Sequence, residues 1–379
     1  MHYLDNAATT VVNEQVISAI EDAMRRYFGN PSALYGPGAQ SERAIKNART
    51  VMARALGCTA GEVIFTACGS ESNNIALWGA ALSRRSWAEN VVSTGYEHPS
   101  VEKPLQRLRE FGYETRFVNP SRDGRVSVEE LVRQVDGKTA LVTAMQVNNE
   151  TGAVLDVVKL ARAVKAKNPR TAVHVDGVQG FCKLPLHLEG SGVDSYAASG
   201  HKLHAPKGVG LLYLRKGYRI EPPYLGGGQE GGLRPGTENV PYIVGFAKAV
   251  ELIYPHLQRR LIRAKEMNAY LRDRLAALPG VRINSPSDAL PFTLNLTAPG
   301  VRSETMLHFL EQREVYVSSG SACSKGAPSK TLAAMGLPED EIDSSLRVSM
   351  SGETTREDLD ALTEGLAEGL AGLQKKGRR

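Results

Sequence analysis

Apolar positions along the first two-thirds of the chain gather in short runs, with helical spacing between them. The runs fall at 63–65, 91–93, 115–118, 140–147, 172–175, 194–198 and 209–214. Stretches with apolar residues every third or fourth position fit between several of them, at 70–83, 100–111, 128–134 and 157–167. Alternation of this kind predicts a mostly parallel sheet covered by helices on both faces. Its crossovers should be right-handed, and ligands should sit at the C-terminal ends of its strands. Two helices are expected before the first run. One covers 13–27 with Asn13 as N-cap, and the other covers 39–56 and stops at Gly57. Residues 1–13 read as extended and turn-rich, and 29–38 (GNPSALYGPG) as a loop.

A glycine-rich stretch, LGGGQEGGLRPGTEN at 225–239, interrupts this rhythm, and one long helix over 240–277 follows. Beyond Pro279 the pattern restarts on a smaller scale. Strands are expected at 281–284, 292–296, 315–318 and 346–349, and helices at 303–312 and 356–373. The expected division is a large domain over 14–250, with 1–13 and 251–379 forming a smaller α+β domain.

Composition narrows the class. With 42% hydrophobic and 23% charged residues, the chain reads as globular, and 379 residues can bury one large core and a second, smaller one. A formal net charge of +5 is small for this length and gives no reason to expect nucleic acid. The basic tail KKGRR at 375–379 reads as a solvated end. Cys58, Cys68, Cys182 and Cys323 show no C-x-x-C spacing, which suggests free thiols in a reducing compartment. No signal-type leader precedes Tyr3, and no apolar run is long enough to span a bilayer. The expectation is a cytoplasmic protein with no membrane partner and no metal.

Candidate chemistry centres on SGHK at 199–202. Gly200 breaks a strand, and Lys202 lies just past the break. An amine held on such a turn can be desolvated and crowded by cations, which frees it to form a Schiff base. Upstream, HVDGVQ at 174–179 delivers Asp176 to the end of the preceding strand. A Schiff-base lysine and an acid for a pyridinium nitrogen are the pair that pyridoxal phosphate requires. Other strand ends carry polar groups too. At 65–74 (FTACGSESNN), Gly69 allows close approach, and the amides of Ser70 and Glu71 would face an anion, although many such turns bind nothing. His98 fits two roles, lying flat on an aromatic cofactor or capping the next helix. Asn148 and Asn149 are either polar contacts or parts of an ordinary turn. In the second unit, VSSGSACSKG at 317–326 places Cys323 in a loop of small residues, which predicts an exposed, movable sulfur with Lys325 favouring its thiolate. Cys58 and Cys182 read as buried, inert thiols.

Taken together, these motifs resemble the cysteine desulfurases of the NifS/IscS type, within the class V, fold type I pyridoxal-phosphate enzymes. The resemblance runs through nearly the whole chain: YLDNAATT (3–10), GNPS (29–32), ESNN (71–74), EH (97–98), NNE (148–150), 174–179, SGHK (199–202), GGGQE (226–230), Arg234, GT (236–237), SGSAC (319–323) and SLR (345–347). It implies an α/β large domain with a mostly parallel seven-stranded sheet. It also implies that Lys202 holds the cofactor, Asp176 pairs with the ring nitrogen, Gln179 bonds the ring hydroxyl, and His98 stacks on the ring and moves protons. Ser70, Ser199 and His201 would hold the phosphate, and Thr237 would reach the phosphate of a second subunit in a homodimer. Asn148 and Arg347 would hold the substrate carboxylate. Cys323 would take sulfur from L-cysteine as a persulfide, release alanine, and pass the sulfur to an acceptor protein in iron–sulfur or thiolation pathways.

The chain departs from the family pattern in several places. ACGS at 67–70 replaces the usual Ser-Gly-Ala/Gly-Thr and puts a second thiol, Cys68, near the cofactor. Tyr35 stands where His is common, and Ala205 where Gly is. The segment between Cys323 and Leu332 is shorter than in the housekeeping branch, and SMSGE at 349–353 replaces Ser-Leu-Gly-Arg. A selenocysteine lyase or another class V aminotransferase is the nearest alternative, and Cys323 discriminates, because an aminotransferase has no use for it. A catalytically idle sulfur-relay scaffold is a third reading, opposed by the intact Lys202, Asp176 and Arg347.

Overall fold

All seven strands expected in the first two-thirds of the chain pair into one sheet. The computed structural model describes residues 1–319 and 328–373. In chain order, the elements begin with β1 (His2–Tyr3), α1 (Glu14–Arg26), α2 (Gly36–Leu56), β2 (Val63–Thr66), α3 (Gly69–Leu82), β3 (Asn90–Thr94), α4 (Pro99–Leu108), β4 (Glu114–Val118) and α5 (Val128–Arg133). They continue with β5 (Thr139–Met145), α6 (Val157–Lys167), β6 (Ala172–Asp176), β7 (Ser195–Ser199), β8 (Gly210–Leu214), α7 (Val240–Ile253) and α8 (Leu257–Ala276). The large sheet has the order β2-β8-β7-β6-β5-β3-β4, and only β8 runs antiparallel to its neighbours. β3, β5, β6, β7 and β8 are buried along their whole length, as strands covered on both faces must be. The main apolar core joins the inner faces of α2, α6 and α7 to this sheet.

Local signals set the boundaries. The Asn13 side chain accepts the Gln15 N–H at 2.9 Å and caps α1. Gly57 adopts φ 63 and its N–H closes α2 against the carbonyls of Ala53 and Arg54. The helix expected over 240–277 is two helices. Pro255 has no N–H to donate, and a single 3₁₀ turn, Tyr254–His256, separates α7 from α8.

The remaining elements are β9 (Arg282–Ile283), β10 (Thr293–Thr297), α9 (Ser303–Glu311), β11 (Val315–Tyr316), α10 (Lys330–Ala334), α11 (Glu339–Asp343), β12 (Ser345–Ser349) and α12 (Arg356–Leu373). β12-β10-β9 form a separate three-stranded antiparallel sheet, with its own apolar core shared by α8, α9 and α12. The strand expected at 315–318 does not join it. Val315–Tyr316 instead pairs in parallel with His2–Tyr3, and Ser318 makes one isolated bridge to Arg347. Residues 2–7 are thereby bound to the last third of the chain, and the Leu4 side chain lies in its core.

The glycine-rich stretch is pinned at one point. Glu230, in a left-handed conformation at φ 48, is buried and accepts a forked pair from Arg49 at 2.7 and 2.8 Å and the Phe65 N–H at 3.0 Å. Arg49 also covers the Phe65 ring at 5.0 Å. Removing the carboxylate leaves a mostly buried guanidinium unpaired, so Glu230→Ala is expected to lower the unfolding free energy by roughly 3 kcal/mol. A urea titration with an unchanged slope and a lower midpoint is the check.

Candidate active site

Five turns at the C-terminal ends of the large-sheet strands face a cavity of about 260 Å³. Its lining includes Gly69 and Ser70 after β2, His98 after β3, Asn149 after β5, Asp176 and Gln179 after β6, and Ser199, His201 and Lys202 after β7. Arg347 of β12 and the backbone of Ala7 and Ala8 close the other side. The cavity therefore lies where the large sheet meets the small sheet and the segment 2–10.

Lys202 sits in a 3₁₀ turn, Gly200–Lys202, and its Nζ donates to the carbonyls of Ala7 and Ala8 at 2.5 and 2.6 Å. Asp176 accepts the Val178 N–H on Oδ1 at 3.0 Å and the Asn73 Nδ2 on Oδ2 at 2.8 Å. Gln179 donates through Nε2 to the Ala7 carbonyl at 2.9 Å and accepts from Lys183 at 3.2 Å. Lys183 is half-buried beside Lys202, Arg347 and Arg260, and desolvation followed by these like charges brings its pKa down to about 7. His98 caps a helix and also faces the cavity. It lines the cavity, and its Nδ1 accepts the Ser100 N–H at 3.1 Å to cap α4.

One end of the cavity suits an anion. Gly69 opens α3, and a Cβ there would meet Val178 Cγ2 at 2.6 Å, so any larger residue would push Val178 aside at the cavity wall. The Ser199 hydroxyl is buried and has no hydrogen-bond partner among the described residues. Burial, then the neighbouring Lys202, Lys207 and Lys183, lowers the His201 pKa to about 4, so its ring is neutral near pH 7. An orphaned hydroxyl, a helix N-terminus and a nearby lysine fit the phosphate and the aldehyde of pyridoxal phosphate.

Arg347 is the largest fully buried side chain among the described residues. Its guanidinium donates to Asp5 Oδ1 at 2.7 Å and to the Asn149 carbonyl at 3.2 Å, while Nε is buried without a partner among the described residues. Asn148, expected at the substrate, is placed elsewhere. Its Oδ1 accepts from the Glu150 N–H, the Thr151 N–H and the Thr151 hydroxyl, which locks the side chain into its own turn. The next residue, Asn149, lines the cavity instead. Glu71 also turns away, accepting from the Ala67 N–H, from the Tyr224 hydroxyl at 2.8 Å and from Arg234 at 3.4 Å. Thr237 lines a different pocket, between Phe65, Gly208, Arg234 and Ile243. Cys68 lines the cavity, and Cys323 lies outside the described residues.

Ala7 and Ala8 fall within the motif YLDNAATT and Ser100 within none, and the sequence assigns a role in the site to none of the three. Ala7 and Ala8 act through backbone carbonyls, which no side-chain pattern reveals. Ser100 is in sequence only a serine after a proline.

Residues 2–362 match the model of the family described as aminotransferase class-V. A cysteine desulfurase of Trichormus azollae is 38% identical over 374 residues, covering 97% of this chain and 92% of that protein. Among solved structures, a NifS-like protein superposes with a TM-score of 0.92 at 36% identity, covering 97% of this chain and 99% of that one. SspA, solved in complex with cysteine, gives a TM-score of 0.82 at 31% identity, covering 94% of this chain and 100% of that one. With a cavity built for pyridoxal phosphate at the strand ends and relatives matched along nearly its whole length, this chain belongs to the class V aminotransferase family, among its pyridoxal-phosphate-dependent cysteine desulfurases.

Proposed function

We propose that the enzyme takes the sulfur of L-cysteine onto Cys323 as a persulfide, releases L-alanine, and passes the sulfur to an acceptor protein in iron–sulfur or thiolation pathways. The observation that carries this reading is the meeting of Lys202, Asp176 and His98 with a buried Arg347 around one cavity. The cofactor, when bound, supplies a sink for the electrons left at the substrate Cα.

The chain's own residues divide the remaining work. Lys202 anchors the cofactor through its amine. Asp176 faces the ring nitrogen, Gln179 the ring hydroxyl, and Ser70, Ser199 and His201 the phosphate. Arg347 presents a fork to the substrate carboxylate, oriented by Asp5 and the Asn149 carbonyl, and the Asn149 side chain is its partner there. The Cys323 thiolate attacks the substrate sulfur. The S–S bond forms as the C–S bond breaks, and the electron pair returns to the substrate carbon, which takes a proton to become the alanine methyl group.

We also read the enzyme as a homodimer with shared active sites. Leu34 is fully exposed, and Leu225, Phe28 and Tyr35 are 87%, 76% and 64% exposed. Residues of this loop and of the glycine-rich stretch line one pocket together, so the apolar side chains flank one region. Thr237 faces away from its own cavity, as a residue serving a partner's phosphate must. The large domain over 14–250 would then carry the cofactor, and the small domain (1–13 and 251–379) the cysteine loop. No helix among the described residues is long and apolar enough to cross a membrane. With the described cysteines unbridged, this supports a cytoplasmic enzyme.

Alanine and sulfide release from L-cysteine tests the central reading. Wild type is expected to turn over, while Cys323→Ser keeps the cofactor's absorbance and makes neither product. Equal turnover by both would remove Cys323 from the chemistry. Asn149→Ala should raise KM for cysteine about tenfold with the cofactor still bound, whereas Asn148→Ala should lower the melting temperature by unmaking its turn. Leu34→Asp combined with Leu225→Asp should give a monomer by light scattering, with weakened cofactor binding. Burial, reinforced by Lys202 and opposed by Asp176, holds the His98 pKa below its ordinary value. His98 therefore stays neutral into mild acid, and the acid limb of kcat/KM should fall below the usual histidine value of about 6.5.

A further inference from the structure

A chain of hydrogen bonds runs behind the cavity wall and joins two groups of the site. His174 Nδ1 meets Ser195 Oγ at 2.9 Å, and His174 Nε2 meets Asn73 Oδ1 at 3.0 Å. Asn73 Nδ2 reaches Asp176 Oδ2 at 2.8 Å and Ser100 Oγ at 2.9 Å. Ser100 Oγ then meets His98 Nδ1 at 2.8 Å. Asn73 and His174 are wholly buried, and Asp176 is nearly so.

The direction of every link follows from which atoms can donate. A carboxylate only accepts, so the Asn73 amide must turn its NH₂ group toward Asp176 and its oxygen toward His174. That oxygen also only accepts, so His174 carries its proton on Nε2. Burial brings the His174 pKa down to about 3, which leaves the ring neutral and Nδ1 free to accept the Ser195 hydroxyl. On the other branch, the second amide hydrogen of Asn73 goes to the Ser100 oxygen. The Ser100 hydroxyl keeps its own proton for His98 Nδ1, and the Ser100 backbone N–H points to the same atom at 3.1 Å. With two donors aimed at it, Nδ1 bears no proton, and the neutral ring carries its proton on Nε2.

We infer that Asn73 is a positioning residue that fixes the Asp176 carboxylate and, through Ser100, sets His98 as the Nε2–H tautomer, so that proton transfer at the cavity uses Nε2. This rests on the reading that His98 and Asp176 serve the cofactor. Among the described residues, the charged and titratable groups facing His98 are Asp176 at the end of β6, Lys202 and His201 in the turn after β7, and Lys103 and Arg107 of α4, which line a second pocket with it. None of them is altered by a change at Ser100.

The test compares cofactor-loaded wild type, Ser100→Ala, Ser100→Thr, Asn73→Ala and His98→Ala through the pH profile of kcat/KM and the dissociation constant of pyridoxal phosphate. A donor to Nδ1 favours the neutral ring, so removing it raises the His98 pKa. The acid limb of Ser100→Ala should move up by roughly 0.5–1 pH unit, with cofactor affinity within about twofold of wild type. Ser100→Thr, which keeps the hydroxyl, should restore the limb. Asn73→Ala should shift the limb the same way and also weaken cofactor binding several-fold, because Asp176 loses a donor. If His98→Ala abolishes the limb while Ser100→Ala and Ser100→Thr both leave it at the wild-type position, the relay is wrong and the role of His98 stands. If His98→Ala itself leaves the limb in place, both fail together.

Discussion

The active site depends first on the buried ion pair between Arg347 and Asp5. Arg347 comes from the small antiparallel sheet, and Asp5 from the segment that pairs with β11. The pair meets over the turn that ends β5, where the Asn149 carbonyl takes a second N–H. Burying a guanidinium is costly unless its donors are matched, and a matched pair seldom adds much net stability over an apolar packing. Its effect here is positional. The fork is held at a fixed angle on one wall, while the lysine, acid and histidine project from the opposite wall. Loss of either partner would leave a charge without compensation at the seam between the two sheets.

The large sheet supplies the opposite wall by a general property of parallel strands. Five turns leave the same edge of the sheet and collect their side chains into one volume. Backbone N–H groups and small polar side chains fill the space behind them, so that few of the site's groups are left to choose their own orientation. Asp176 has donors on both oxygens, Gln179 is tied at both ends of its amide, and His98 is held at Nδ1. The Ser199 hydroxyl has no such partner among the described residues, and under the proposed function it is left for the phosphate.

Much of this is legible in the chain itself. Each apolar run from 63 to 214 becomes a strand of the large sheet, and burial on both faces leaves an unbroken apolar signature in all of them but the edge strand β4, which is exposed or half-buried over most of its length. The ends of those runs mark Asp176, Ser199 and Lys202 as neighbours. What the sequence hides is whatever depends on direction rather than identity. Asn148 and Asn149 are chemically the same residue, and only the turn decides that the first bonds its own backbone and the second faces the cavity. Pro255 is visible as a residue, but the apolar spacing on either side outweighs it and hides the break between α7 and α8. Val315–Tyr316 has strand character with no way to show that its partner is residues 2 and 3. Glu71 and Thr237 carry the right motif, yet both face the glycine-rich stretch or its pocket rather than the cavity.

The attachment of residues 2–8 to the far end of the chain has a consequence for how the site comes into being. Asn6 bonds the Ser349 carbonyl, and Ala7 bonds the Ser349 hydroxyl across 342 positions of sequence. The carbonyls that hold Lys202 and Gln179 belong to that same segment. On the ribosome, the large sheet can assemble from residues 63–214 long before β12 exists, because all of its strands lie within that span. The wall formed by residues 5–8 has no such freedom. Its bonds to Lys202 and Gln179 can form early, but those to Ser349 must wait until synthesis passes residue 349, so the cavity is completed last although part of its lining is made first.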